Sequence, residues 1–273
     1  MPARLVVSLQ PVDVPRGGTW RDTGPAVHAA LLDAIAAIDP EASALLHSPA
    51  LRPKPYAISP LLGGDTRTRE VSFEVGIADD EWIEVIAAAL DERAEIRIGR
   101  SHFRIGRIDG YAATFDELLR RSPPSTGWRI ELRTPTMWAT SSGGQIRRRD
   151  LLPTPTILLG SLASRWRRHG GPLPDDVGLV VEDRIDVRAF ELRTQRHLTK
   201  APSVKVPGAV GWLEVVCVGP PIDDDLLRAI SALLRFGHYV GVGDQTTKGM
   251  GVVTVSDLDA RPPGGGRSPR RRT

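Results

Sequence analysis

A single cysteine, Cys217, stands in 273 residues, which excludes an intramolecular disulfide and a cysteine metal cluster and fits a reducing compartment. Aromatic side chains make up only 5% of the chain, and none forms the strand signature of a base-stacking sheet. Binding by extensive stacking is thereby disfavoured. The six histidines are scattered, with no His-x-x-x-His or Glu-bearing helical spacing, so the pattern offers no metal site and calls for no cofactor. GxSxG is absent, which leaves a serine nucleophile without its elbow. No apolar run approaches the roughly 18 residues of a membrane span. The chain opens on a strand-like segment, residues 4–10, rather than a signal peptide. These absences predict a soluble, cytoplasmic protein with no membrane partner.

The net charge is only +3, but it is unevenly spread. Residues 1–132 carry 15 basic and 19 acidic side chains, a net of −4. Residues 133–210 carry 13 and 7, a net of +6, so an acidic partner belongs over the middle of the chain. Residues 261–273 add five arginines among Pro, Gly, Ser and Thr, a composition that predicts a disordered basic tail.

Periodicity divides the rest. Strand at 4–11, helix at 25–38, strands at 55–62 and 70–78, helix at 81–90 and strand at 95–108 read as one βαββαβ unit, residues 1–110. Val27, Leu31, Ala34, Ile35 and Ile38 follow helical spacing, whereas Val71, Phe73, Val75 and Ile77 alternate. Residues 111–126, ending in RRSPPSTG, read as a linker. A second βαββαβ unit spans 127–258: strand 128–140, a polar hairpin tip at 141–144, helix from Pro155, strands 178–192 and 210–218, helix 223–236 and a final strand at 252–255. Two such units predict an α+β protein of two tandem ferredoxin-like (βαββαβ, RRM-like) domains.

Between the last helix and the last strand lies GVGDQTTKGMG, residues 241–251. Its glycines, Gly241, Gly243, Gly249 and Gly251, permit positive φ or close backbone approach. Thr246, Thr247 and Lys248 add hydroxyl and cationic donors, so the loop suits a polyanion. It is neither a P-loop nor a Rossmann turn, because GxxxxGKS/T is absent and Thr246 stands where GxGxxG needs glycine.

The run FGHYVGVGDQTTKGMGVV, residues 236–253, resembles the C-terminal signature of the CRISPR-associated RNA-processing proteins of the RAMP superfamily. Within them it is most similar to the precursor-crRNA endoribonuclease, the sixth Cas family. LLHSPALRPKPYAISPL, residues 45–61, independently resembles that nuclease's N-terminal block of a histidine, a lysine, an aromatic and Ser-Pro-Leu. The resemblance covers most of residues 3–255 and implies the same tandem ferredoxin-like fold. It also implies a metal-independent endoribonuclease that cuts the repeat of precursor CRISPR RNA. In that reaction the ribose 2′-OH attacks its own phosphate, giving 5′-OH and 2′,3′-cyclic phosphate ends. A non-catalytic RAMP subunit that holds guide RNA in an effector complex is the alternative. Expected partners are repeat RNA, other Cas effector subunits and a second copy of the chain.

The resemblance carries the acid/base role to His47 and the phosphate-steadying role to Lys54, and an imidazole suits either proton role at neutral pH. Some members have a tyrosine fifteen residues before that histidine; here the position is Leu32. His28, one helical turn before Leu32 on the same face, is the candidate second catalytic group. RNA holding is expected of the glycine loop, of Arg147, Arg148 and Arg149, of Arg165 and Arg168 at the end of a helix, and of Arg193 and Arg196 downstream. The arginine fork matches phosphate and the guanine edge.

Overall fold

The computed structural model describes residues 1–12, 22–63, 71–141, 147–200 and 204–258. The tail at 261–273 and residues 142–144 of the expected hairpin tip lie outside the described residues. So do the side chains of Arg147 and Arg148.

The first domain runs β1 (Ala3–Pro11), α1 (Gly24–Ile38), α2 (Pro40–His47), β2 (Tyr56–Ile58), β3 (Val71–Ile77), α3 (Ile83–Asp91), β4 (Glu95–Ile98) and β5 (Ser101–Ala112). Its antiparallel sheet has the order β2-β3-β1-β5-β4, the ferredoxin-like arrangement with one extra strand, β4, appended at an edge. The alternating Val71, Phe73, Val75 and Ile77 all point into the core beneath α1 and α3. The single strand expected at 95–108 is instead the β4–β5 hairpin, turned at Gly99 with φ +64°.

Helix α2 was not foreseen. Asp39 both ends α1 and caps α2, its carboxylate accepting from Ala42 N at 2.9 Å, with Pro40 opening the helix and Glu41 in the first turn. His47, expected in a loop, is therefore the last residue of a helix.

The expected linker also contains a helix, α4 (Phe115–Arg121). It starts on a reciprocal capping box between Thr114 and Glu117 and packs Phe115 and Leu118 into the second core. The second domain continues with β6 (Gly127–Thr136), β7 (Trp138–Ser141), β8 (Arg147–Asp150), α5 (Pro155–Arg168), α6 (Val177–Arg184), β9 (Ile185–Lys200), β10 (Val204–Cys217), α7 (Asp224–Val240) and β11 (Val253–Asp257). Its main sheet has the order β11-β6-β10-β9, which repeats the first domain's topology, while β7 and β8 form a separate two-stranded ribbon. The two tandem ferredoxin-like domains are thus present.

The first part of the strand expected at 178–192 is helical instead, as α6. Strand propensity spans only about 1 kcal/mol. Burying Val177 and Val181, one helical turn apart, in the core that α5 also lines contributes about 1.5–3 kcal/mol each, and burial wins.

Helix α7 is buried nearly all round, from Leu227 through Phe236 to Val240, because it is covered on one side by its own domain and touches β1, β2 and β3 of the other. The domain junction also holds a buried polar set. Arg4 pairs with Glu74, Glu74 with Arg133 at 3.4 Å, and Arg4 Nη1 donates to the His238 carbonyl at 3.4 Å. His238 Nε2 accepts from Val255 N at 2.9 Å, which requires the neutral ring. Burial, followed by the charges of Arg4 and Arg235, pushes His238 down to about 4. A folded-state value below the unfolded 6.5 means that the stability is present above pH 6.5 and is lost as pH falls toward 4. From about pH 6.5 to about pH 5 this residue is expected to remove about 2 kcal/mol. In denaturant titrations across that range His238→Gln, which keeps an acceptor and does not titrate, should show a correspondingly flatter pH dependence. Parallel slopes for the two proteins would contradict the assignment.

Candidate RNA-cleavage site

The site is assembled where the glycine loop of the second domain meets α1, α2 and β2 of the first. His28 lies on the buried face of α1 and His47 is exposed at the end of α2, with ring centroids 6.2 Å apart. The Tyr56 hydroxyl, from β2, is 3.2 Å from His28 Nδ1, and the two rings are stacked at 6.1 Å. Burial first, then Lys248, His47 and Lys54, drive His28 down to about 3, so its ring is neutral. Burial also raises Tyr56 well above the usual phenol value, so its hydroxyl keeps its proton.

Lys54 sends its ammonium to the carbonyls of Leu46 and Ser48, on either side of His47. A cation there satisfies the carbonyl end of α2 and fixes the backbone that presents the imidazole. Burial and then Arg52 hold Lys54 below the ordinary lysine range; burial and then Lys54 do the same to Lys248. Four basic side chains, from both domains, thus share one neighbourhood.

Lys248 closes a short 3-10 turn, Thr246–Lys248. Its carbonyl accepts from His197 Nε2 on β9 at 2.7 Å and rests against the start of α1. A Cβ on Gly24 would lie 1.9 Å from that oxygen, so the helix bearing His28 and the loop bearing Lys248 touch backbone to backbone. Burial first lowers His197, against the opposing influence of its bond to Lys248.

The glycines of the loop were expected to open the backbone to phosphate. At Gly243, with φ +74°, the space a side chain would need is filled by protein instead: a Cβ there would lie 2.3 Å from the Met137 carbonyl. Gly241, Gly249 and Gly251 likewise face Thr246, Pro60 and Val242. Arg165 is also committed within the protein. Its guanidinium donates to the carbonyls of Val240 at 2.8 Å, Gly241 at 3.3 Å and Gly243 at 3.1 Å, fastening the loop to α5. Burial lowers its pKa and Asp244 partly offsets that. The backbone N–H groups of Gln245, Thr246 and Thr247 have no partner among the described residues, so the polar side of the loop is its 3-10 turn.

Arg149 is exposed on β8 and Arg168 in the last turn of α5. Arg193 and Arg196 are exposed on β9, three residues apart on a strand, so they leave opposite faces; Arg193 shares the face of His197. Tyr56 and His197 were not singled out from sequence, although Tyr56 is the aromatic of the PYAISP block. Among the described residues, no three His, Cys, Asp or Glu side chains gather in a metal-ligating group, and no helix is long and apolar enough to cross a membrane.

Beside the loop lies a cavity of about 550 Å³, walled by Arg52, Pro53 and Lys54 from the first domain and by Trp138, Arg165 and residues 243–247 from the second. It falls within the size range of small-molecule sites.

The family model for the CRISPR-associated endoribonuclease Cas6 matches residues 130–253, from β6 through the glycine loop to β11. A curated CRISPR-associated endoribonuclease Cas6 of Mycobacterium tuberculosis (strain ATCC 25618 / H37Rv) is 25% identical over 274 aligned residues, covering 95% of this chain and 80% of the relative. In fold, the chain superposes on a Cas6 product complex with a TM-score of 0.78 at 24% identity, covering 94% of this chain and all of that one. It also superposes on Thermus thermophilus Cas6, with a TM-score of 0.72 at 22% identity, covering 94% and 98%. A family model over most of the second domain, a curated relative aligned over 95% of this chain and a shared two-domain fold all make this chain similar to the CRISPR-associated endoribonuclease Cas6.

Proposed function

We propose that the chain is a metal-independent endoribonuclease that cuts the repeat of precursor CRISPR RNA and so matures guide RNAs in the cytoplasm. The observation that carries this is the exposed imidazole of His47, on a backbone gripped by Lys54, in one neighbourhood with Lys248 of the other domain. Cleavage by the neighbouring 2′-OH needs a proton acceptor, a proton donor and positive charge near the phosphate. The 2′-OH loses its proton and its oxygen bonds to phosphorus; the bond to the 5′-oxygen breaks and that oxygen takes up a proton. The products carry a 2′,3′-cyclic phosphate and a 5′-OH.

In this reading His47 exchanges one of these protons. Lys248 and the ammonium donor that Lys54 has left face the phosphate, and the free N–H groups at Gln245, Thr246 and Thr247 hold its oxygens. His28, neutral and buried, orients the site through Tyr56 rather than titrating. Exposed Arg149, Arg168 and Arg193 extend the cationic path, with Arg147 and Arg148 beside Arg149 in sequence. Arg165 serves from beneath, by shaping the loop.

The test is incubation of the cognate repeat RNA with the protein in EDTA. Cleavage is expected to proceed, and a 2′-deoxy substitution at the cut nucleotide is expected to abolish it while leaving binding intact. An absolute requirement for Mg²⁺ or Mn²⁺, or cleavage of the 2′-deoxy substrate, would overturn the mechanism. Tight binding without any cleavage would favour the non-catalytic guide-RNA-holding role.

A further inference from the structure

We propose that the cavity between the domains is a recognition subsite for one unpaired guanine, read by the carboxylate of Asp244; this deepens, and rests on, the RNA-processing reading above. Asp244 lines that cavity with Lys54, Trp138, Gln245 and Thr247. Its backbone is pinned, its N–H donating to the Met137 carbonyl at 2.8 Å. Its side chain is half-exposed and accepts no hydrogen bond among the described residues. Arg165 is an electrostatic neighbour, but its donors go to the carbonyls of Val240, Gly241 and Gly243. The carboxylate therefore stands on a fixed backbone and accepts no hydrogen bond among the described residues.

A carboxylate in a cationic cleft repels the phosphates that the cleft otherwise attracts. What it can bind favourably is an N–H edge. Guanine presents two neighbouring donors, N1–H and N2–H, which two carboxylate oxygens can accept together. Adenine and cytosine offer one amino group beside a ring nitrogen acceptor, and uracil offers one N–H between two carbonyls, so each sets a lone pair against the acid. The edge used is the Watson–Crick edge, so the base must be unpaired, as in the single-stranded elements that proteins read by sequence in RNA. Trp138 supplies an apolar wall for the base, and Lys54 on the opposite wall suits the phosphate of the same nucleotide.

The experiment measures binding of labelled uridine tracts carrying a single guanine, inosine or adenine, alongside cleavage of the cognate repeat by the same preparation. Inosine lacks only the N2 amino group. The wild-type protein is expected to bind the guanine tract at least about fivefold more tightly than the other two, the lower bound for a two-point base contact. Asp244→Asn is expected to lose that preference while binding the all-uridine tract as tightly as wild type or more so, because a negative charge has left a polyanion site. Equal wild-type affinities for guanine and inosine tracts would overturn the proposal without relying on any variant. So would an Asp244→Asn protein that changes its affinity for every tract alike, which would show the acid acting through Arg165 and the loop. If the repeat is cleaved while either of these results is seen, only the guanine subsite fails. If no tract binds and no repeat is cleaved, the RNA-processing reading fails with it.

Discussion

His47→Ala is expected to slow single-turnover cleavage of the repeat by about 10² to 10⁴, the range for losing a general acid or base, with affinity for the RNA nearly unchanged. The geometry decides between the two histidines. His28 is 6% exposed and its pKa is pushed down to about 3, so it neither reaches bulk water nor holds a proton at neutral pH. His47 is exposed, and its backbone is gripped by Lys54 through the carbonyls before and after it. Truncating the imidazole leaves that grip intact, so the variant should fold and bind as wild type does. A loss in kcat with little change in affinity is the signature of a group used mainly in the transition state. Wild-type cleavage by His47→Ala would remove His47 from the mechanism and make His28→Ala the variant to measure.

Gly243→Val is expected to destabilise the protein by about 3 kcal/mol, with a matching drop in its unfolding midpoint. Two costs add. Valine at φ +74° is a backbone outlier, and its Cβ would fall 2.3 Å from the Met137 carbonyl, which cannot withdraw without moving the end of β6 and the start of β7. The same shift pulls on the Gly243 carbonyl that accepts from Arg165. Any loss of RNA binding in this variant would therefore come with loss of fold, and thermal unfolding followed by circular dichroism measures which it is. A Gly243→Val protein as stable as wild type would mean that the loop is not held as described.

The architecture was legible because both halves carry the pattern of their elements: the alternating Val71 to Ile77 strand, the helical spacing from Val27 to Ile35, the Thr154 and Pro155 start of α5 and the acids that open α7. The misreadings have local physical causes. Residues 177–184 have the composition of a strand, but packing against α5 outweighed propensity. Residues 115–121 were obscured by the Pro-Pro pair that follows, although TFDE spells a capping box. Asp39 and Pro40 likewise announce α2 once Asp39 is seen to serve two helices. The motifs draw attention to His47, Lys54 and Lys248, and the fold brings these three residues, called from sequence at opposite ends of the chain, into one neighbourhood. His28 followed from the turn of helix that separates it from Leu32.

What sequence did not disclose is direction. GVGDQTTKGMG shows that the backbone must pass close to something, but not whether that something is phosphate or protein. Four glycines turned out to face protein atoms, and Arg165, which reads as a phosphate ligand, is spent on the loop's own carbonyls. Likewise, nothing in RTQRHLTK distinguishes the inward His197 from the outward Arg196 until the register of β9 is known.

The contact between Gly24 and the Lys248 carbonyl makes the two ferredoxin-like halves a composite rather than a pair. Each half has its own sheet and core, yet neither possesses the whole set of basic groups: His28, His47 and Lys54 come from one, Lys248 from the other. Separation of the halves would part Lys248 from the three groups of the first domain. Gly24 is one of the glycines, with Gly76 against the Tyr239 carbonyl, at which the two halves meet backbone to backbone. At both points the lack of a side chain lets the two contributions come this close.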